Sequence, residues 1–209
     1  MPVHRACLSH AGPKGNAVPF AARGPIGHVP RMSDPRIVPA TPADAPAIAA
    51  LYAHHVRHGT ATFELDPPDA AEVAARMARL RGKGMPWLAA KDAGGALLGY
   101  AYAGPFHARA AYRHTCEDSI YVRHDRLGQG IGTALLAALL AACEAAGQRQ
   151  VMALIAATEP ASIALHAKAG FVEVGRLRSV GRKHGQWIDV VYMQRALGQG
   201  GATPPAAEP

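Results

Sequence analysis

One segment limits the fold more than any other. Residues 117–136 read as a strand, a glycine loop and a helix in unbroken succession. Gly128, Gly130 and Gly132 carry no Cβ, so the backbone N–H groups of the loop can turn together toward one anion. The helix expected over residues 133–146 starts at that loop and aims its positive dipole end the same way. A diphosphate would be held there by backbone alone. The loop is not a P-loop, because Thr133 rather than a lysine follows Gly132. Its spacing also differs from the G-x-G-x-x-G of a dinucleotide fold. Glu117 lies upstream in the same strand, so a phosphate cradle and an acid belong to one element.

The 209 residues allow one ordinary domain with a real core. The formal net charge of +7 suits an acidic ligand such as a polyphosphate. No basic run is interleaved with aromatics, so nucleic acid is not an expected partner. Cys7, Cys116 and Cys143 are odd in number and have no metal-ligand spacing, which fits a reducing cytoplasm. No uninterrupted apolar run is long enough to cross a bilayer. The nearest approach, residues 134–146, is broken by Glu144.

Residues 1–35 scatter Pro, Gly, His and Arg without a period and are expected to be disordered. A secretory leader is not expected there. Met32 stands directly before the first strand, so translation is expected to begin at it, with residues 1–31 a mis-called extension. The domain then runs over 36–197, and 198–209 form a second disordered tail. Arg36–Pro39 reads as a strand. A helix follows with Thr41 as cap, Pro42 in its first turn, an apolar stripe of Ile48, Leu51, Tyr52 and Val56, and an end near Gly59. Asp69 to Glu72 is a capping box for a second helix that buries Val73, Met77 and Leu80. Residues 87–91 and 96–103 form a hairpin around Gly94-Gly95. Residues 115–122 and 150–156 are strands, and 160–169 a helix. Residues 171–177 and 187–194 are strands around a polar loop. The expected class is α+β, in αβα layers.

Five further segments carry a resemblance. They are Thr60-Ala61-Thr62-Phe63-Glu64, residues 102–106, residues 111–117, residues 161–166 and residues 181–190. With the loop Leu127-Gly128-Gln129-Gly130-Ile131-Gly132, they resemble the GCN5-related N-acetyltransferases. Within that superfamily they resemble the phosphinothricin and methionine sulfoximine acetyltransferases. Leu127 departs from the Arg or Gln usual at that place. Glu159 stands where the family usually has an asparagine that contacts the coenzyme arm. The resemblance implies a mixed central sheet with splayed strands at an acetyl-CoA cleft, direct acetyl transfer to a small amino-acid-like amine, and a homodimer.

That chemistry needs a proton acceptor, a polarised thioester carbonyl and protonation of the departing thiolate. Glu117 is the expected base, directly or through a water, with a pKa raised by partial burial. His166 lies four residues before Gly170, where many relatives carry a thiolate-protonating tyrosine. It is a candidate acid or second base. Backbone groups of Ile120, Tyr121 and Val122 are expected to meet the pantetheine arm, with the Val122 N–H as oxyanion donor. Residues 127–133, Glu159 and Ser162 complete the coenzyme site. Phe63, Arg109, Tyr112, Arg113 and Lys183 are the substrate candidates, arginine being suited to a carboxylate or phosphinate. Trp187 and Tyr192 fit core or dimer contacts better.

Other chemistries are weighed beside this one. Cys116 would permit an acyl-cysteine route, but adjacent strand residues face opposite sides, which sends it to the core. His54 and His58 share a helix face without the carboxylate of a zincin, so no metal is expected. The alternatives kept open are a non-catalytic CoA-binding sensor and an acetyltransferase for a polyamine or a protein N-terminus.

Overall fold

A computed structural model describes residues 35–205. The expectations for Met32 and for residues 1–34 lie outside that range, as does the end of the tail. The elements run β1 (Arg36–Pro39), α1 (Ala45–His58), α2 (Ala70–Arg81), β2 (Trp87–Lys91), β3 (Leu97–Pro105), β4 (Thr115–Val122), α3 (Ile131–Ala145), β5 (Gln150–Ala156), α4 (Pro160–Lys168), β6 (Val172–Lys183) and β7 (Gln186–Ala196). Seven strands form one sheet in the order β1-β2-β3-β4-β5-β7-β6. Every pair is antiparallel except β4 with β5. The expected α+β class with a mixed sheet is therefore the observed one.

Local chemistry accounts for the boundaries. Thr41 and Asp44 form a capping pair, with Thr41 N–H donating to Asp44 Oδ2 over 2.8 Å. A short 3-10 turn, Pro42–Asp44, precedes α1, so the α-helix starts later than the proline suggests. Asp69 Oδ1 accepts the Glu72 N–H at the start of α2. In α3, Ile131, Leu135, Leu136, Leu139, Leu140 and Cys143 recur at helical spacing and are all buried. They pack with Leu98, Ala101, Val151 and Ile155 on one face of the sheet. On the other face α1 and α2 pack Ile48, Val56, Val73 and Met77 against Ala89, Tyr100 and Tyr121.

Two readings are corrected. The polar loop expected between the last strands is strand: β6 and β7 continue to a two-residue turn at His184 and Gly185, with φ of 48° and 78°. A register shift between Leu177 and Gly181 absorbs Ser179, whose N–H bonds Asp189 Oδ1. The tail beyond Gly198 is anchored rather than loose as far as Thr203. Arg149 donates to the Gly200 carbonyl over 2.8 Å and to Thr203 Oγ1 over 2.7 Å.

Gly99 stands in β3 where β4 and α3 leave no room for a side chain. A Cβ there would lie 2.8 Å from the Tyr121 carbonyl oxygen and 3.1 Å from Leu135 Cδ1. Backbone on one side and a buried side chain on the other leave little room to yield. Gly99→Ala is expected to destabilise the fold by about 1–3 kcal/mol. Urea denaturation checks this, an unchanged midpoint counting against such close packing.

Candidate active site

The site is built where the sheet stops being a sheet. β4 and β5 pair only at Thr115–Gln150, Cys116–Val151 and Glu117–Met152. Beyond those pairs the two parallel strands part. Hydrogen bonds fix which backbone groups face the gap. Arg123 N–H bonds Leu98 O, and Phe106 N–H bonds Thr115 O, so the odd-numbered residues of β4 are the ones that bond β3. Ile120 and Val122 therefore direct N–H and C=O into the gap. Tyr121, expected to do the same, pairs with Tyr100 instead.

Glu117 is the last β4 residue before the strands separate, so it marks the vertex. Its carboxyl is pushed above the ordinary carboxylate range, first by burial and then by the neighbouring Asp118 charge. Strand alternation puts Glu117 on the face of Tyr102 and Tyr121, and Cys116 and Asp118 on the other. Cys116 is fully buried, and its thiol is pushed up by a hydrogen bond with Cys143 and by burial. A ready thiolate nucleophile is thus not present there.

His166 is 3% exposed and both ring nitrogens are engaged. Nδ1 lies 2.8 Å from the Ser162 carbonyl, which only accepts, so it bears a proton. Nε2 lies 3.0 Å from Asp118 Oδ2. Burial lowers the His166 pKa, but the Asp118 hydrogen bond and charge and the Ser162 carbonyl outweigh it and raise it. Each ring nitrogen of His166, the candidate acid or second base, thus faces a partner of its own, Ser162 on one side and Asp118 on the other. His166 and Glu117 also lie toward opposite sheet faces. The Ser162 hydroxyl is 3.5 Å from the same imidazole.

The coenzyme loop has the geometry its glycines imply. Gly128 and Gly130 adopt φ of +73° and +80°, a region other residues enter only with strain. Gly130 caps α3, which starts at Ile131, two residues before the expected Thr133. The first-turn N–H groups, Gly132 and Thr133 among them, have no intrahelical partner and face the loop. A Cβ on Gly132 would meet Leu165 at 3.3 Å. Leu127 and Gln129 are exposed beside the loop. Backbone donors and exposed edge groups fit a diphosphate and an extended amide arm, so the residues present suit acetyl-CoA. Glu159 ends the β5–α4 connection, where its carboxylate accepts from Thr60 Oγ1 over 2.7 Å.

The substrate candidates divide. Phe63 packs over Gly181, where a Cβ would lie 2.3 Å from the ring. Lys183 is 3% exposed and donates to the Thr62 carbonyl over 2.7 Å, its pKa lowered by burial against the pull of Glu64. Both thus pin the 60–64 loop. Arg109 and Tyr112 are exposed around a short turn before β4, Tyr112 stacking edgewise on His107 at 4.8 Å. Arg113 is misplaced for the role expected of it. It lines a cavity of about 650 Å³ with Gln148 and Gly198, at the N-terminal ends of β4 and β5. The splay opens at their C-terminal ends.

Arg76, Glu64 and Tyr102 were missed by the sequence reading. Arg76 grips both oxygens of Glu64, at 2.6 and 3.3 Å, and bonds Glu72 at 2.9 Å. Burial raises the Tyr102 pKa, and Arg76, Glu64 and Glu117 all act on it, so the four cluster on one face. Glu64 lay inside a recognised motif. Arg76 offered only a helix-surface arginine as signal. His54 stacks on His124 with centroids 3.8 Å apart and lies 4.8 Å from His58. Trp187, expected in a core or interface, is exposed, with Arg182 over its ring.

A parallel pair that parts after its first residues, beside a backbone anion nest, defines a coenzyme A-dependent acyltransferase fold. The comparisons with known proteins agree. The family model "Acetyltransferase (GNAT) domain" matches residues 37–192, and the chain belongs to that family. A phosphinothricin N-acetyltransferase of Alcaligenes faecalis is 52% identical over 163 residues, covering 78% of this chain and 82% of the relative. An L-methionine sulfoximine/L-methionine sulfone acetyltransferase of Pseudomonas paraeruginosa is 39% identical over 155 residues, covering 74% and 90%. The crystal structure of a phosphinothricin acetyltransferase from Sinorhizobium meliloti with acetyl-CoA has a TM-score of 0.81 at 44% identity. It covers 83% of this chain and 94% of its own.

The buried His166–Asp118 pair makes a stability prediction. A histidine whose folded-state pKa is raised contributes stability that is full below its ordinary value of 6.5 and is lost as pH rises through the raised value. The wild type is expected to lose stability upward from about pH 6.5. Asp118→Asn should cost about 3–5 kcal/mol near pH 6 and flatten that slope. Chemical denaturation across pH reads both, and a flat wild-type profile counts against the pair.

Proposed function

We propose that the protein transfers the acetyl group of acetyl-CoA directly to the amino group of a small amino-acid-like substrate. The substrate class is that of phosphinothricin, methionine sulfoximine and related L-amino acids. The observation that carries the proposal is Glu117, a carboxyl with raised pKa at the vertex of the β4–β5 splay. Acetyl-CoA supplies an activated acyl thioester when bound. Gly128, Gly130 and the first turn of α3 hold its phosphates, and the edge groups of Ile120 and Val122 hold its arm.

The chain's own part begins with the amine, which arrives mostly as an ammonium near neutrality. Glu117 takes its proton, directly or through one water, and a raised pKa makes it a better acceptor. The Val122 N–H faces the gap and donates toward the carbonyl oxygen as charge builds there. The new C–N bond forms as the thioester C–S bond breaks, and the leaving thiolate takes the second amine proton, so the one proton released is the one Glu117 accepted. His166 works by position, holding α4 on β4 through Asp118. Arg76 and the pinned loop of Thr62, Phe63 and Glu64 form the acceptor wall beside Glu117. Residues 36–197 make up the catalytic unit, and the reaction is placed in the cytoplasm.

The partner proposed for the assembly is a second copy. β6 is an edge strand, and Val172, Val174, Leu177 and Val180 along it are exposed. Light scattering should return the mass of two chains, and the mass of one would remove the dimer.

Thiol release from acetyl-CoA tests the reaction against phosphinothricin, methionine sulfoximine, several L-amino acids and spermidine. Turnover is expected with the amino-acid class. Spermidine alone as substrate would move the reading to polyamines. Glu117→Gln should lower kcat by about 10²–10⁴-fold while calorimetry shows coenzyme A binding retained. In the wild type, kcat/KM should fall as pH drops through the raised Glu117 pKa, because the protonated acid accepts nothing. A variant with undiminished turnover would remove Glu117 as the base, and coenzyme A binding without turnover on any amine would identify a non-catalytic coenzyme-binding domain.

A further inference from the structure

Three segments distant in sequence meet over the open end of the splay. α1 ends at His58, and the chain from His55 to Thr60 passes both arms of the gap. On the β4 arm, His55 Nε2–H donates to the Val122 carbonyl over 2.9 Å. On the β5 arm, Thr60 Oγ1–H donates to Glu159 Oε1 over 2.7 Å, and Thr158 Oγ1 lies 2.8 Å from the same hydroxyl. One hydroxyl proton serves Glu159, so Thr158 supplies the proton of the second bond. The Glu159 charge also acts on His55, so the carboxylate of the second tie lies within electrostatic reach of the first. The segment is thus a crossbar fastened to both arms where β4 and β5 no longer fasten each other.

The crossbar runs straight into the acceptor wall. Thr62 Oγ1 lies 2.6 Å from the Tyr52 hydroxyl, the Thr62 carbonyl takes the Lys183 ammonium, and Glu64 is gripped by Arg76. The Thr62 and Glu64 anchors tie the loop to α1, α2 and the β6–β7 hairpin. Among the described residues, the Thr60 hydroxyl is what ties it to the β5–α4 connection, through Thr158 and Glu159, beside the coenzyme cleft. A shift at Thr60 would therefore move the acceptor wall relative to the thioester end without unfolding either.

We propose that Glu159 and Thr60 are positioning residues, whose hydrogen bond holds the acceptor wall in register with the cleft and so governs how an amine presents to Glu117. The inference rests on the acetyl-transfer reading above. It assigns Glu159 a task on the acceptor side, where the resemblance had implied only contact with the coenzyme arm.

The test uses Thr60→Val, Thr60→Ser, Glu159→Ala and the double variant Thr60→Val/Glu159→Ala in the full chain. Each is compared with wild type in KM for an accepted amine, in kcat, in coenzyme A affinity by calorimetry and in amide exchange over residues 59–64. A hydrogen bond to a carboxylate lost from a part-buried site should raise the amine KM about tenfold. Thr60→Val should do this with coenzyme A affinity within about twofold and with faster exchange in the loop. Thr60→Ser keeps the hydroxyl and should restore both. The double variant should be no worse than either single one, because both remove the same bond.

An unchanged amine KM in Thr60→Val overturns the proposal, as does full additivity in the double variant. Weaker coenzyme A binding in Glu159→Ala with an unaltered amine KM also overturns it and returns Glu159 to the coenzyme arm. Wild-type protein with no turnover on any amine would instead sink the acetyl-transfer reading. In that case loop exchange and calorimetry still report on the latch.

Discussion

Everything at the site follows from a pairing that ends early. β4 and β5 share three residue pairs and then diverge. In a continuous sheet the N–H and C=O groups of Ile120 and Val122 would be taken up by the neighbouring strand. A buried backbone group left without a partner costs about 1–3 kcal/mol, so strands part only where other groups stand in. The Val122 carbonyl has such a stand-in, His55 from α1. The groups that remain line a strand-shaped slot, which an extended amide-bearing arm fills as an added strand would. The helix bridging the two strands, α3, begins at the same end, with its unpaired N–H groups beside Gly128 and Gly130. A slot for the arm and a nest for its phosphates are therefore two consequences of one interruption.

Two adjacent carboxylates show how strand alternation assigns chemistry. Glu117 and Asp118 differ by one position and by one sheet face. Asp118 meets His166 over 3.0 Å, and the pair fastens α4 onto β4 from below the splay. The other Asp118 oxygen is buried and has no hydrogen-bond partner among the described residues. No cation is among the groups that shift Glu117. Burial and the charge of Asp118 both resist its ionisation, and that makes it a basic carboxylate. The structural pair and the proposed base are thereby coupled, because the Asp118 charge is one of the two causes that raise the Glu117 pKa.

Much of this was legible in the chain, for local reasons. A glycine loop before a helix, a capping box at Asp69 and apolar stripes in α1 and α3 declare themselves through short-range geometry. The opposite facing of Cys116 and Glu117 follows from the period of a strand. What was not legible depends on register and on long-range contact. Tyr121 was expected to line the slot, but only the pairing with Tyr100 shows that its backbone turns toward β3. Arg113 was a candidate carboxylate or phosphinate ligand because an arginine grips such groups with two bonds and because it lies in one of the resemblance segments. Extended backbone carries it to the far end of the strand. Lys183 and Arg76 acquire their meaning from residues 121 and 12 positions away. The His184-Gly185 turn carried a local signal, yet the polar residues around it read as loop.

The two halves of the site are made of different materials, and this bears on what can change. The coenzyme half is backbone: edge groups of β4, a glycine nest and a helix start. Almost any side chain tolerates that arrangement as long as the positive φ angles are kept at Gly128 and Gly130. The acceptor half is side chain, and its parts are interlocked. Thr60 leans on Glu159, Thr62 on Tyr52 and Lys183, Phe63 on Gly181, and Glu64 on Arg76. Replacing one of these alters the seating of its neighbours, so acceptor preference is a property of the loop and its anchors together. On the proposed reading, a proton acceptor fixed at the vertex of a backbone cleft serves many amines, and the way that loop is held decides which amine reaches it.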